Sequence, residues 1–240
     1  PDRLRVGNRD MRALRILLVL VVVLGGLFLA VDRAAVWYAE SEAEDRVTIS
    51  GGGPATTEIS IKGFPFLTQL AGSELDRVDV NLTGMKTSAA GRTIRVSEVR
   101  AQLHDVKLGS GYRTATATRA TGTALVTYKD LTAAASDGVV VEYGGKGKAK
   151  VTGTVEVLGR PISRSVLSTV TRVDGHTIKV RADQVPGEGI PGVEELVRKK
   201  TDFEGDIDGL PEGLELQEVK VTEKGLEISV TGSDVSLTTN

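Results

Sequence analysis

An uncharged apolar run occupies residues 16–31, bounded by Arg15 before it and by Asp32 and Arg33 after it. As a helix the run covers about 24 Å at ~1.5 Å per residue, a little short of a ~30 Å hydrocarbon core. Ala34, Ala35 and Val36 lengthen it, so a membrane-crossing helix is expected over residues 16–36. Beyond it the apolar period falls to two. Val78, Val80 and Leu82 alternate with Asp79, Asn81 and Thr83, and Ile94 and Val96 alternate with Arg95 and Ser97. Val99, Ala101 and Leu103 then continue on the other parity, a slip that predicts a β-bulge and a bent strand. Ala120, Gly122, Ala124 and Val126 alternate with Thr121, Thr123 and Thr127. Further strands are read at residues 139–143, at Val151, Val155 and Val157, and at Ile178 and Val180. Two more follow at residues 214–221 and 226–230, with turns at residues 144–148 and at Lys224-Gly225. Such alternation leaves one wet face and one buried face, as in an antiparallel sheet covered on one side.

Helical patterns are few. They fall at residues 64–70 (extending to 75), 128–135, 162–170 and 191–200, the last with Pro191 in its first turn and Arg198, Lys199 and Lys200 at its end. Gly51-Gly52-Gly53-Pro54 breaks any helix that leaves the membrane. The class is α+β, a long curved antiparallel sheet wrapped around a few helices. Strands of eight or more residues exceed the usual ~5–6 and tend to curl. Aromatic residues make up only 4% of the 240. Large rings are scarce, so two outcomes stay open: a slot beside the helices, or a core filled entirely by aliphatics.

Charge orients the chain. Arg3, Arg5, Arg9, Arg12 and Arg15 precede the apolar run, which predicts a cytoplasmic N-terminus and a domain on the other side. The expected organisation is a basic n-region at 1–15, a transmembrane signal anchor or signal peptide at 16–36, and an extracytoplasmic domain at 37–240. Trp37 and Tyr38 fall where an interfacial aromatic belt belongs. An uncleaved anchor and a cut within residues 30–35 are both compatible with this segment, although no clean small-x-small site stands there. With no cysteine there is no lipobox, disulfide or thiol chemistry. Taking the six Arg and three acidic residues of 1–33 from the total of 30 basic and 32 acidic leaves 24 and 29, a net charge of −5. That charge argues against nucleic acid and against general adhesion to anionic lipid. Contact with lipid would have to run through an apolar surface or cavity.

Catalytic patterns do not emerge. His104 and His176 stand at strand-like positions with no ligand spacing around them, so no metal site is assigned. There is no Gly-x-Ser-x-Gly elbow. Gly144-Gly145-Lys146-Gly147-Lys148 fails the phosphate-loop pattern because Ala149 follows the lysine, and it reads as a basic hairpin tip. Asp202, Glu204, Asp206 and Asp208 lack the Gly and Glu of a calcium loop and read as a solvated acidic segment. No catalytic residue and no cofactor is assigned, and the domain is expected to be non-enzymatic.

One segment is more specific. Ile61-Lys62-Gly63-Phe64-Pro65-Phe66-Leu67-Thr68-Gln69-Leu70-Ala71-Gly72, leading into Leu75-Asp76-Arg77-Val78-Asp79-Val80, resembles the signature of the actinobacterial LmeA-like phospholipid-binding family. Leu210-Pro211-Glu212-Gly213-Leu214 and Gly225-Leu226-Glu227-Ile228-Ser229-Val230-Thr231-Gly232 are similar to the family's C-terminal part, and the resemblance covers most of residues 36–238. It implies a sheet curved around helices, similar to tubular lipid-binding folds, with an apolar tunnel for acyl chains. It also implies a phospholipid partner, phosphatidylinositol-like in the mycobacterial member, which supports elongation of mannan-bearing glycolipids.

The residues have their own physical reading. Pro65 presets a turn or first helical position, and Leu67 and Leu70 form a helical i, i+3 pair. Phe64 and Phe66, two of the three Phe outside the membrane segment, join them in one amphipathic element. As plain core, this helix docks on the sheet; as a functional element, it lines or gates a lipid slot. Phe64 and Phe66 point about 200° apart on a helix, so only one of them, Phe66, is expected to line. The candidate lipid contacts are Phe64, Phe66, Leu67 and Leu70 with Val78, Val80, Leu82, Ile94 and Val96 of the sheet. The expected function is binding or transfer of a phospholipid, or of a related envelope lipid of polyprenyl type, outside the cytoplasmic membrane, in the periplasm-like space, in support of envelope glycolipid assembly. The alternative is a scaffold that binds envelope biosynthetic enzymes through a sheet edge. An elongated cavity discriminates for the first, a solid core for the second.

Overall fold

The computed structural model describes residues 8–46, 56–89, 91–109, 111, 114–157, 160–184, 194, 198, 201–207 and 210–238. The chain begins with one long helix, α1 (Asn8–Arg46), which runs ten residues past Val36. Then come β1 (Thr56–Lys62), the short α2 (Phe66–Gly72), and the long strands β2 (Glu74–Ala89), β3 (Arg92–Leu108) and β4 (Thr114–Thr127). After α3 (Tyr128–Ala134) the chain builds β5 (Val139–Tyr143), β6 (Ala149–Val157), β7 (Arg160–Arg172), β8 (Thr177–Ala182) and β9 (Phe203–Asp206). It returns through β10 (Leu214–Thr222) and β11 (Gly225–Thr238). Two antiparallel sheets result, ordered β1-β2-β3-β4-β11-β10 and β5-β6-β7-β8-β9. The smaller sheet is an excursion: the chain leaves the large sheet after β4 and rejoins it beside β4 with β11.

The large sheet bends by a device that alternation only half revealed. Leu75 and Val78, Leu103 and Val106, Ala117 and Ala120, and Val230 and Val235 all face inward, although each pair is an odd number of residues apart. Four neighbouring strands therefore change parity at one level. The pairing keeps its register across that level, with Leu75 opposite Val106 and Arg77 opposite His104. Leu103 stands opposite Ala120 and Val106 opposite Ala117. Asp105 and Asp234 sit at the switch in β3 and β11 with left-handed φ of 52°, a conformation Asp adopts more readily than most residues. A second switch lies between Leu82 and Met85 and between Val96 and Val99, with Gly84 at φ 75°.

This corrects the expected bulge at Val96–Val99. A bulge puts an extra residue in one strand, whereas here β2 and β3 change parity together and Thr83–Glu98 and Met85–Val96 remain in step. The helix expected at residues 162–170 is also corrected, since this stretch belongs to β7, paired with β6 and β8. Val166 and Val170, four residues apart, share a face in a strand as well as in a helix, so their spacing could not discriminate. The expected helix at 64–70 begins only at Phe66, and the left-handed Ser73 ends it, so Leu75 is already strand. His176 lies in the bend between β7 and β8, its N–H donating to Asp174 at 2.8 Å. The helix expected at 191–200 lies outside the described residues except for Glu194 and Arg198, which are helical. The Gly51–Pro54 breaker lies outside them too.

Candidate functional site: an aliphatic cavity between two sheets

A cavity of about 1090 Å³ lies between the two sheets and α3. Its volume reaches the upper end of the ~300–1,000 Å³ usual for ligand sites. The large sheet gives it Val78, Val80 and Leu82 from β2, Ile94, Val96, Val99 and Ala101 from β3, and Ile228 and Val230 from β11. Val139, Val141, Val151, Ile178 and Val180 close it from the small sheet, and Tyr128 and Leu131 from α3.

The space exists because β4 has almost no bulk on its inner face. Ala115, Ala117, Ala120, Gly122 and Ala124 succeed one another there before Val126 restores a branched side chain. Ala101 of β3 pairs directly with Gly122, so the floor is lowest at that point. A Cβ on Gly122 would stand 3.0 Å from Val230 Cγ2 and 3.4 Å from Arg100 O, so the strands close tightly there. The Ala-Gly-Ala alternation was visible in the sequence, but it marks a strand and says nothing of the volume left above it.

Five of the expected contacts, Val78, Val80, Leu82, Ile94 and Val96, stand together on this wall. Phe64, Phe66, Leu67 and Leu70 do not. Phe66 is 2% exposed and sits with Val36, Leu75, Val78, Leu103, Val106, Ala117, Ala120 and Val235, and Leu67 and Leu70 pack against that cluster. Phe64 is 55% exposed, with the Arg33 guanidinium 5.5 Å from its ring centre. The expectation that Phe66 lines the slot is therefore corrected: its ring fills the crease where the strands change parity.

A family model described as LmeA-like phospholipid-binding matches residues 30–231. The chain belongs to the LmeA-like phospholipid-binding family. Searches of curated proteins and of solved structures each return no match. In this LmeA-like chain the matched stretch begins inside α1, and the outer part of that helix is built into the domain. Asp32, 0% exposed, accepts from Leu67 N–H at 2.9 Å and from Arg33 at 2.7 Å. It thereby caps the first turn of α2, whose own N-cap, Pro65, makes no side-chain cap. Two and then three turns on, Glu40 accepts from Ile61 N–H at 2.7 Å and Glu44 from Ile59 N–H at 2.9 Å. These carboxylates satisfy the outer edge of β1, which has no neighbouring strand on that side. Ala35, Val36 and Ala39 join the Phe66 cluster, and Ala43 reaches the cavity wall.

The charged groups at other candidate positions are engaged in structural contacts. Lys148 of the basic hairpin pairs with Asp183, and that lysine with the Thr169 hydroxyl holds the Asp183 carboxyl below its usual range. Glu204 pairs with Lys179 at 2.6 Å, and Asp206 accepts from Thr177 at 2.6 Å. Asp208 lies outside the described residues. Burial alone would raise Asp130, but hydroxyls of Thr127 and Ser97 outweigh it and hold the carboxyl low. Burial raises the Tyr128 phenol, which donates to Thr222 O. Among the described residues, no group of three or more His, Asp or Glu is placed to hold a metal.

Proposed function

We propose that this protein binds a phospholipid non-enzymatically outside the cytoplasmic membrane, held there by an uncleaved α1, and passes lipid to or from envelope glycolipid assembly. The cavity carries this reading: a void of about 1090 Å³ with aliphatic walls in a member of a phospholipid-binding family. Acyl chains in it would gain ~0.8 kcal/mol per buried CH₂. Val78, Val80, Leu82, Ile94 and Val96 are the proposed chain contacts, joined by Ala101 and Ala124. A scaffold would be served by a solid core, so the hollow favours the lipid reading over that alternative.

Membrane anchoring is supported by α1, which is long and apolar enough to cross a bilayer, with its apolar side chains exposed from Ile16 to Val31. Five Arg before that run support an outward-facing domain. Retention of the anchor is supported by Asp32 and Val36, because a cut near residues 30–35 falls at or beside groups that the fold buries.

The decisive experiment is native mass spectrometry of the full chain after extraction in a lipid-free detergent. Phospholipid mass should accompany the protein, and emptied protein should take up phospholipid from vesicles. A chain that neither retains nor takes up phospholipid is not a lipid binder. Alkaline phosphatase fused after Asn240 should be active, and an inactive fusion would reverse the orientation.

A further inference from the structure

The cavity has two unlike ends. Along α1, away from the apolar run, Asp32 lies beside Leu67, Glu40 beside Ile61 and Glu44 beside Ile59. Ile61 pairs with Val78 and Ile59 with Val80, so this direction follows β2 towards Ala89 and its partner Arg92. The β2–β3 hairpin therefore marks the end of the sheet far from the apolar run. From Leu75 to Thr87 the wall extends up to about 40 Å at ~3.3 Å per residue. Near the apolar run the lining is Leu108, Ala115 and Leu237; at the far end it is Arg92, Tyr128 and Ser136.

Among the described residues, Arg92 is the lone cation on the cavity wall and Asp202 the lone anion. Asp202 is engaged: it accepts from Ala182 N–H at 2.9 Å and pairs with Arg198 at 3.4 Å. Arg92 has no carboxylate partner among the described residues. Among the described residues its guanidinium donates to Ser136 Oγ at 3.0 Å and to Ala134 O at 3.5 Å, two of the five N–H donors on the planar fork. A guanidinium at the end of an aliphatic cavity, in no ion pair among the described residues, suits a phosphate oxygen pair.

We infer that Arg92 holds the phosphodiester of the bound lipid, so that the headgroup sits at the β2–β3 hairpin and the acyl chains extend back along β3 and β4 towards the membrane end. This rests on the proposed function and adds the lipid's orientation and the residue that reads its phosphate. The contact with Ala134 O and Ser136 also ties the hairpin to the end of α3, so a purely structural role must be separable in the test.

The test loads the full chain in detergent with phosphatidylglycerol or with diacylglycerol of identical oleoyl chains, and counts bound lipid by native mass spectrometry. Wild type should favour the phospholipid by about tenfold or more, the scale of one charge-assisted bidentate contact. Arg92→Gln should erase that preference while diacylglycerol uptake stays within about twofold, and Arg92→Lys should keep part of it. Ser136→Ala, which removes the structural partner and leaves the charge, should keep it in full. Inorganic phosphate in large excess should not displace the lipid, because the acyl chains supply most of the binding. An Arg92→Gln chain that still prefers the phospholipid would overturn the inference. So would equal loss of both lipids in Arg92→Gln, which marks a structural role, or displacement by phosphate alone, which marks a free-anion site. Wild type that takes up diacylglycerol without preference defeats the assignment of Arg92 alone. Wild type that takes up neither lipid defeats the proposed function itself.

Discussion

The crease around Phe66 and the trough above Ala101, Gly122 and Ala124 are built by the same strands, yet one is filled and the other is hollow. In the crease, Leu75, Val78, Leu103 and Val106, which also border the cavity, pack at a parity switch with one buried Phe ring from α2. In the trough the same β3 and β4 carry Ala101, Gly122 and Ala124, which line the cavity. The difference lies in three or four side chains, not in backbone architecture. A sheet of this curvature has room for a core or a ligand, and side-chain size decides which.

The largest effect is expected where the comparison is broken from the filled side. Phe66→Ala should cost the lipid-free protein ~3–5 kcal/mol, as for other large core truncations, read as a lowered urea midpoint. A loss below about 1 kcal/mol would show that Phe66 faces free space after all. Filling the hollow side should do the reverse. Ala124→Phe should leave the lipid-free midpoint unchanged or raised, because the ring enters a void. Displacing about three methylenes of lipid at ~0.8 kcal/mol each should weaken phospholipid binding roughly 50-fold. A destabilised Ala124→Phe protein with normal lipid uptake would mean that the trough is closed in solution.

Smaller effects test what frames the two regions. Asp32→Ala should cost about 1 kcal/mol by uncapping α2 under the crease, while Asp32→Asn, which keeps an acceptor, should cost a fraction of that. Equal losses in both variants would show that the charge matters and the cap does not. The smallest effect is acid sensitivity at α3 beside the trough. Asp130 is lowered in the fold, so its contribution is complete above the unfolded carboxylate value near ~3.9 and is lost as pH falls through the lower folded value. Asp130→Asn should therefore flatten the stability profile below about pH 4 and leave its shape at neutral pH unchanged. An unaltered acid limb would remove Asp130 from the account.

Alternation identified the strands of both regions, and Val78, Val80, Leu82, Ile94 and Val96 share one wall because strand parity is a local property. It failed where the cause was distant. Nothing near Phe66 announces that Asp32, thirty-four residues earlier, will cap its helix from a neighbouring element and draw the ring into the sheet. The parity slip at Val96–Val99 was legible, but only the pairing shows that β2 slips with it. The volume of the trough is harder still, since it is set by how far apart two sheets stand over small residues. Nothing in the sequence sets Arg92 apart from other arginines, because its place on the cavity wall depends on the opposite walls.

The union of α1 with the domain bears on reach. Asp32, Val36, Glu40 and Glu44 hold the helix along more than three turns, and the wall residue Ala43 lies about 18 Å of helix beyond Val31. With residues 16–31 in a bilayer, the domain stands on a rigid post, not on a leash. A leash would let it sample a volume that widens with linker length. A post confines it to one height and lets it travel only in the plane of its own membrane. On the proposed function, lipid bound for another layer would then be collected at that height by something that comes to meet it.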